Sequence, residues 1–393
     1  MPTIPRRRWL VVAVFLLSTS INFLDRQTLV SVAPFIKDAF ELNNTQYALL
    51  ASAFSIPYAI AAPAAGLLID RLGLTRGISL ALGTWSLAGI ATGLGTTFGT
   101  LVACRGVLGV AEAGGIPASG KAIARFLRPE ERALGHSLNQ VAVSLGLMAA
   151  PPLSLALAIH FHWRAAFLVT GVLGLLWIPL WRWMDPKLPD EPASRESTPR
   201  AILRDRRLWA FAAANATGMT LYAIWTVWTV LYLVDAAGAT RAQAGWLASF
   251  TALFATLGGF SGGWLSFRLM RSGKDALTAR YRGCLLAGVA ALATAALPWL
   301  PGPALAAAGI AVSFFAVSAF SVNIYAMPLD VFGARHAAFA VAFLTTAYGL
   351  MQAAVSPLVG WLVDHHGYTP AVVGAAVTPL AACAILRLAG LRW

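Results

Sequence analysis

The sequence predicts an all-α membrane protein with about twelve transmembrane helices in two six-helix halves, and three observations support this. First, 58% of its 393 residues are hydrophobic and only 11% are charged, whereas soluble proteins average about 25% charged residues. Second, apolar runs long enough to cross a bilayer as helices recur along the whole chain. Third, a single long polar stretch divides these runs evenly.

The apolar runs define twelve predicted spans, six on each side of the polar stretch. These spans are 9–36, 46–69, 76–96, 100–124, 132–159, 164–184, 207–235, 242–267, 278–299, 303–328, 336–363 and 369–390. The polar stretch is rich in proline and charge. It predicts a cytoplasmic linker at 186–206, between an N-terminal half at 1–185 and a C-terminal half at 207–393. The even division indicates two related halves around a midplane cavity, and a bundle without internal symmetry is the alternative.

The distribution of basic residues predicts the orientation of the spans. Lysine and arginine gather in alternate loops, and the loops between these are nearly free of them. Such a bias marks the cytoplasmic side, so both termini are expected in the cytoplasm. It also accounts for the net charge of +13 without a nucleic acid partner. The chain is therefore expected to be a multi-pass protein of the cell inner membrane. It is also expected to be a monomer.

The first span carries two adjacent charges, Asp25 and Arg26. The apolar run before them, from Trp9 to Leu24, makes about 24 Å of helix, which is short of the roughly 30 Å hydrocarbon core. Because the apolar pattern continues to Lys37, the pair is expected inside the membrane. Charges there cost at least ~2.5–3.5 kcal/mol unless they meet a partner or a water-filled cavity. The pair predicts such a cavity; the alternative is that the helix ends here in external water.

The fourth span carries a second pair, Arg105 and Glu112. They are two helical turns apart and share one face, at depths of about 8 and 18 Å counted from Thr100. Arginine grips a carboxylate with a planar fork, and a buried acid can take up a proton. The two pairs together predict a site for an organic anion and a proton. The alternative is an ion-pair network that only holds helices together.

The first pair also predicts how the site is switched. Adjacent residues on a helix point about 100° apart, so Asp25 and Arg26 cannot face the same partner. We expect Arg26 to pair with Asp25 or Glu112 while the site is empty. Protonation of that acid would free the arginine for the anion.

The loop after the second span, GLLIDRLGLTR at 66–76, resembles the signature of the major facilitator superfamily. That signature is a Gly-x-x-x-Asp-Arg-x-Gly loop followed by basic residues, and Leu74 and Thr75 stand where basic residues are usual. The resemblance implies the major facilitator fold and a loop that gates the cytoplasmic side. The residues that carry this loop are Gly66, Asp70, Arg71, Gly73 and Arg76.

Longer stretches resemble the anion:cation symporter family, close to its hexuronate transporters. They are NFLDRQTLVSVAPFIKDAF, RGVLGVAEAGGIPASGKAIARFLRPEERALGHSLN, APPLSLALAIHFHWRAAFLVTG and SPLVGWLVDHHG. The resemblance implies proton-coupled uptake of a hexuronate or other carboxylate by alternating access. By position it implies proton-linked acids, bases for the anion and the gate, and residues facing the cavity, which are Asp25 and Glu112, Arg26 and Arg105, and Tyr58 and Asn139.

The chain departs from the family at two positions that bear on the substrate. Ala62 stands where a glutamine is frequent, and Val230 stands where a proline is usual. Fewer polar groups make a less hydroxylated or aromatic carboxylate a second candidate substrate. Tyr222 and Trp228 are then candidate contacts, although the same aromatic residues would also serve as packing.

Two other functions fit parts of the sequence. An exporter of an amphipathic lipid or drug is one, because spinster-like relatives share an Asp-Arg pair in span one and a Gly-x-x-Glu stretch in span four. A non-transporting receptor or scaffold is the other, but the linker offers the only long polar segment. An enzyme is not expected, since the sequence has no nucleophile–base pair, phosphate loop or His/Cys cluster. The expected partners are an organic anion, protons and the lipid bilayer, without a metal or cofactor.

Overall fold

A computed structural model of the protein describes residues 7–128, 131–186, 200–332 and 334–389. Within these ranges the chain forms helices and short connections, and no β-strand is present. Eleven helices in the described part are long and apolar enough to cross a membrane. The prediction of an all-α membrane protein is therefore confirmed. The helix at the predicted second span is not among the eleven, so a twelfth span stays a prediction.

The helices follow the predicted spans, and several spans are divided into two helices. In the N-terminal part they are α1 (Arg8–Ser31), α2 (Ala33–Phe40), α3 (Asn44–Leu72), α4 (Leu74–Leu94), α5 (Phe98–Glu112), α6 (Gly115–Phe126), α7 (Arg132–His160) and α8 (Trp163–Met184). In the C-terminal part they are α9 (Arg200–Leu203), α10 (Arg206–Gly218), α11 (Thr220–Asp235), α12 (Arg241–Arg271), α13 (Ala276–Ala291) followed by a 3-10 helix (Leu292–Trp299), α14 (Gly302–Phe332), α15 (Ala334–His366), α16 (Thr369–Ala376) and α17 (Thr378–Leu388). The predicted linker at 186–206 lies largely outside the described residues, which resume at α9.

The fourth predicted span is divided between α5 and α6. Helix α5 ends at Glu112, and α6 begins at Gly115. Pro117 has no N–H to donate to the carbonyl of Ala113, and the neighbouring glycines weaken the helix further. The break therefore places Glu112 at the end of a helix, close to the middle of the predicted span.

The chain folds into two compact units. One contains Met1–Glu41 and Ala53–Arg195, and the other contains Leu42–Ser52 and Glu196–Trp393. Helix α3 is therefore shared, because its first turns belong to the second unit and its remainder belongs to the first. Within α3, Pro57 lacks the N–H that would donate to the carbonyl of Ala53, four residues earlier. Helix α3 thus lacks a backbone hydrogen bond at Ala53, where its residues pass from the second unit to the first.

Aromatic side chains fix α1 against α8 in the first unit. The Phe15 ring lies edge-on to Trp177 and Trp181, with centroid distances of 5.9 and 5.0 Å. The indole N–H of Trp177 donates to the carbonyl of Val14 at 2.7 Å. These contacts bury one face of α1 and hold the helix in place for the charged residues of its next turns.

Two glycines let neighbouring helices approach α1 and α3 closely. A side chain at Gly146 on α7 would collide with the backbone of Ser20 on α1. A side chain at Gly109 on α5 would collide with the backbone of Phe54 on α3. Small residues at such contacts are typical of helix packing in membranes. They fix α7 on α1 and α5 on α3.

In the second unit, α12 and α14 pack in the same way. Side chains at Gly258 and Gly262 would collide with the backbone of α14. The Asn323 amide donates to the carbonyls of Ala319 and Gly262, at 2.8 and 3.3 Å, and accepts a hydrogen bond from Ser266. The buried asparagine at this crossing is therefore satisfied, as buried polar groups generally are.

The start of α3 is capped by Asp364, near the end of α15, and both belong to the second unit. The backbone amides of Asn44 and Thr45 donate to the Asp364 carboxylate, both at 2.9 Å. The Gln46 amide donates to the Asn43 side chain at 2.7 Å. The first amides of a helix have no partner within it, and here three of them are satisfied by side chains. The start of α3 is thereby attached to α15.

Candidate functional site

The centre of the site is an ion pair between α1 and the end of α5. Arg26 donates from Nε and Nη2 to the same Glu112 oxygen, at 3.0 and 2.9 Å. The Arg26 side chain is 26% exposed, whereas Glu112 is fully buried. The sequence left Asp25 and Glu112 as possible partners of Arg26, and in the structure the partner is Glu112. The arginine keeps an accessible edge while its counter-ion lies behind it.

Three aromatic rings surround the Arg26 guanidinium. Its central carbon lies 5.1 Å from the ring centroid of Phe23, and 4.8 Å from the centroids of Phe54 and Tyr58. A cation within about 6 Å of an aromatic face is attracted by the ring. Tyr58 also stacks on Phe54, with 5.6 Å between centroids. The sequence predicts Tyr58 as a site residue, and the structure places it beside this arginine.

Arg105 lies in α5, on the same helix as Glu112. Its side chain is buried, and its guanidinium carbon is 4.8 Å from the Phe54 centroid. It is also near enough to Glu112 and Asp25 to interact with both charges. One phenylalanine ring therefore contacts both arginines of the site.

Asp25 faces away from the ion pair, toward α4 and α8. Its side chain is buried, and Trp85 and Thr170 are close enough to interact with it. None of the described residues makes a hydrogen bond of normal length to either carboxylate oxygen. The roughly 100° between adjacent helical residues explains why Arg26 does not contact its own neighbour. Arg26 is thus paired with only one of the two acids, Glu112.

Asn22 is a site residue that the sequence analysis missed. It lies one helical turn before Arg26, is buried, and is close enough to influence the Glu112 carboxylate, although its amide nitrogen makes no hydrogen bond of normal length to a described residue. A side chain at Gly115, at the start of α6, would come within 3.7 Å of its amide. The available signal was a polar residue one turn from a charged residue within an apolar run. Phe54 was also missed, and nothing in the sequence separates it from the other phenylalanines of the apolar spans.

Asn139, the remaining substrate-binding residue predicted from the first half, lies in the same unit. Asn139 on α7 accepts a hydrogen bond from the hydroxyl of Thr19 on α1, at 3.0 Å. This contact is near the start of α7, away from the Arg26–Glu112 pair along α1. Asn139 therefore adds a polar group to the side of α1 that faces α7.

The two aromatic candidates of span seven lie in the second unit and have different environments. Tyr222 is half-buried and packs against Phe314, with 5.6 Å between centroids. Trp228 is 0% exposed and packs edge-on to Tyr47 and Tyr368. In this conformation Trp228 is a packing residue, whereas part of Tyr222 is accessible.

The predicted gating loop at 66–76 is mostly helical: it covers the end of α3, the turn at Gly73 and the start of α4. Gly73 has φ +79°, a left-handed conformation that favours glycine. Arg71 and Arg76 are exposed on either side of it. The backbone of Asp70 lies in the last turn of α3, and its side chain lies outside the described part of the chain. Where basic residues are usual in the signature, the hydroxyl of Thr75 donates to the Asp185 carboxylate at 2.6 Å.

Gly66 begins the predicted gating loop and lies within α3. A side chain at Gly66 would come within 3.7 Å of Pro117, which is ordinary van der Waals contact. Within the described ranges, no three His, Cys, Asp or Glu side chains are grouped as metal ligands would be. The site consists of arginines, carboxylates and the aromatic rings around them.

An all-helical membrane chain with ionisable residues paired among its helices is typical of a secondary transporter. Residues 15–353 match the Major Facilitator Superfamily, and the chain belongs to that superfamily. The resemblance drawn from the loop at 66–76 is thus confirmed. The family accounts for an all-helical fold with an internal charged site.

Relatives of the chain are named as transporters of sugar acids. It is 26% identical over 395 residues to a hexuronate transporter of Escherichia coli (strain K12), covering 95% of this chain and 91% of that protein. It is 29% identical over 279 residues to a galacturonate transporter of Dickeya chrysanthemi, covering 66% of this chain and 81% of that protein. The chain is therefore a Major Facilitator Superfamily transporter related to hexuronate and other acid-sugar transporters.

A solved structure shows the same fold. The chain superposes with a TM-score of 0.82 on the crystal structure of a bacterial homologue of the human lysosomal transporter Spinster. The sequences are 19% identical, and the match covers 100% of this chain and 98% of that one. At this identity the likeness shows the fold alone.

Proposed function

We propose that the protein is a proton-coupled symporter that takes up an organic anion of the sugar-acid class across the cell inner membrane by alternating access. The names of its relatives support the substrate class. The observation that supports proton coupling is the ion pair between Arg26 and Glu112. Arginine stays charged at every physiological pH, whereas its counter-ion can be neutralised by one proton.

The first step of the proposed cycle is protonation of Glu112. The neutral acid no longer balances the charge of Arg26, whose side chain keeps 26% of its surface exposed. A carboxylate of the substrate then takes the place of Glu112 on the guanidinium fork. Loading of the proton thereby favours loading of the anion. By thermodynamic reciprocity, bound anion also favours the protonated acid.

Asp25 has a different part in the proposal. A buried, ionised carboxylate is costly unless hydrogen bonds or a cation compensate it. Arg105 is near enough to act on Asp25, but no described residue makes a hydrogen bond of normal length to either carboxylate oxygen, so we assign the neutral, proton-carrying form to Asp25 in this conformation. In this proposal Asp25 is neutral while Glu112 is ionised and paired with Arg26.

The other site residues are proposed to shape the cavity. Arg105 supplies a second positive charge behind Phe54, and Tyr58 offers its hydroxyl beside Arg26. Asn139 contributes a polar group from α7 in the first unit. Tyr222 is proposed as an aromatic contact for substrate within the second unit. Trp228 is proposed to support that surface by packing.

The membrane arrangement completes the proposal. We propose twelve spans, with α3 as the second, and both termini in the cytoplasm. The halves at 1–185 and 207–393 are joined by the linker at 186–206, and the protein acts as a monomer. The loop at 66–76 gates the cytoplasmic side. The basic residues in alternate loops support this orientation. An even number of spans would then leave both termini on the same side.

The test is uptake of D-galacturonate into proteoliposomes that contain the purified protein. With the outside more acidic than the inside, the wild type is expected to accumulate the anion above its external concentration. Glu112→Gln resembles the protonated acid. It is expected to exchange D-galacturonate across the membrane but to lose accumulation driven by the pH gradient. Undiminished accumulation by Glu112→Gln, or no transport of any sugar acid by the wild type, would contradict the proposal.

Export of an amphipathic lipid or drug is the second candidate, since the Spinster homologue shares the fold. The accessible guanidinium of Arg26, balanced by a single acid, favours a small anion instead. In the same proteoliposomes, a lysophospholipid should not compete with D-galacturonate. Competition by the lipid, together with no uptake of the sugar acid, would favour the exporter.

A further inference from the structure

Phe54 connects the two arginines of the site. Its ring centroid lies 4.8 Å from the guanidinium carbon of Arg26, on α1, and 4.8 Å from that of Arg105, on α5. The ring itself is buried and belongs to a third helix, α3. Phe23, by comparison, contacts Arg26 at 5.1 Å. Three helices of the first unit therefore meet around one phenylalanine.

The position of Phe54 is fixed by its neighbours. Gly109 lies one helical turn after Arg105, and a side chain there would collide with the Phe54 carbonyl. On its own helix, Tyr58 stacks on the Phe54 ring with an interplanar angle of 25°. The backbone is thus pressed against α5 while the ring is held by a stacked neighbour. Such a ring can set the position of the charges that it touches.

Two guanidinium groups near one another repel, and the repulsion is stronger in a buried site than in water. The face of an aromatic ring carries partial negative charge and attracts both groups without carrying a net charge. This attraction does not depend on protonation, unlike that of Glu112. When Glu112 becomes neutral, the ring of Phe54 remains as a common contact for both arginines.

We propose that Phe54 is a positioning residue that holds Arg26 and Arg105 together as one anion-binding unit. The anion then meets two guanidinium groups whose relative position is set by a single ring. This inference rests on the proposed binding of a sugar acid by these arginines. It adds a residue that the substrate does not need to touch.

The experiment is a double-mutant cycle on the purified full-length protein, with D-galacturonate as the probe and its dissociation constant as the readout. Phe54→Leu keeps the apolar volume but removes the ring, and is expected to weaken binding about tenfold, as the loss of two cation–π contacts implies. In a chain that already carries Arg105→Lys, Phe54→Leu is expected to weaken binding by no more than about threefold, since coupled residues are not additive. Phe23→Leu, on a ring that contacts Arg26, is the matched control, and its effect is expected to add to that of Arg105→Lys.

Phe54→Trp serves as the conservative variant. Tryptophan offers the strongest aromatic face for a cation, so binding within about threefold of wild type is expected. An additive cycle between Phe54→Leu and Arg105→Lys would overturn the inference, as would a Phe54→Trp variant as weak as Phe54→Leu. If the wild type binds D-galacturonate and the cycle is additive, only this inference fails. If the wild type binds no sugar acid, the proposed function fails and this inference with it.

Discussion

At the scale of single residues, the site depends on which acid each arginine can reach. Arg26 contacts Glu112, while Asp25 points into a different part of the same unit. The charged and polar groups that face Glu112 are Arg26, Arg105 and Asn22, with Asp25 near enough to interact. If Arg26 binds the substrate anion as proposed, the ionised form of Glu112 competes with that anion for the same cation. The neutral form does not.

This competition gives a signed prediction for the pH dependence of binding. The affinity for D-galacturonate should fall as pH rises across about pH 5 to 8, where folded proteins are most stable. In Glu112→Gln the affinity should be high, and its change over that range should be at least about tenfold smaller than in the wild type. The measurement is the dissociation constant of the purified protein at several pH values.

A matched control comes from an acid–arginine pair outside the site. Arg8 and Glu131 form an ion pair of 2.7 Å near the start of α1. Glu131→Gln should leave the pH dependence of binding as it is in the wild type. A wild-type affinity that does not change with pH would show that the Arg26–Glu112 pair serves only to hold helices together.

At the scale of helices, the site depends on how closely α3 and α5 approach each other. Gly109 allows that approach, because its missing side chain leaves room for the backbone of Phe54. Gly106 lies nearly one turn earlier on α5, and a side chain there would be 3.8 Å from the nearest atom of α3. Two glycines of one helix thus differ sharply in the space around them.

Gly109→Ala should therefore destabilise the fold and Gly106→Ala should not. Forcing a methyl group into a packed contact costs about 1–3 kcal/mol, and here it would also move the Phe54 ring away from the arginines. The measurement is the thermal unfolding midpoint of each variant in the same detergent. Equal midpoints for the two variants would show that α3 and α5 adjust freely at this crossing.

At the scale of the whole molecule, stability depends on pH through the acids that are paired only in the folded state. Hydrogen bonds from the Arg8 side chain hold the pKa of Glu131 below its usual range. A carboxyl whose pKa is lower in the folded state stabilises the fold above its unfolded pKa of about 4.3. That contribution is lost as pH falls through the lower folded value.

The prediction is a comparison of thermal unfolding midpoints for the wild type and Glu131→Gln at several pH values. The difference should be constant near neutral pH and should shrink toward zero in strong acid. A difference that grows on acidification would mean that Glu131 is not stabilised as an anion. Asp205→Asn is a second case, since Arg207 holds the pKa of Asp205 below its usual value as well.

The sequence was sufficient for the fold class and for the four charged residues, because apolar length and intramembrane charge are properties of the chain itself. It left open whether Arg26 meets Asp25 or Glu112, since that depends on how α1 and α5 are rotated against each other. It missed Phe54 and Asn22, whose importance comes from neighbours on other helices. It left open whether Trp228 contacts substrate or packs, and in this conformation the residue packs against Tyr47 and Tyr368.

The division of helix α3 between the two units has a mechanical consequence for the proposed cycle. Its start is tied to α15 by Asp364, and the hydroxyl of Ser52 donates to the carbonyl of Ala353 at 2.7 Å. Two residues further along, Phe54 is in contact with both arginines. At Ala53, where α3 passes from the second unit to the first, a backbone hydrogen bond is missing because Pro57 has no N–H, so bending of α3 is expected there. A bend at Ala53 would turn the helix segment that carries Phe54, while Asp364 keeps the start of α3 attached to α15.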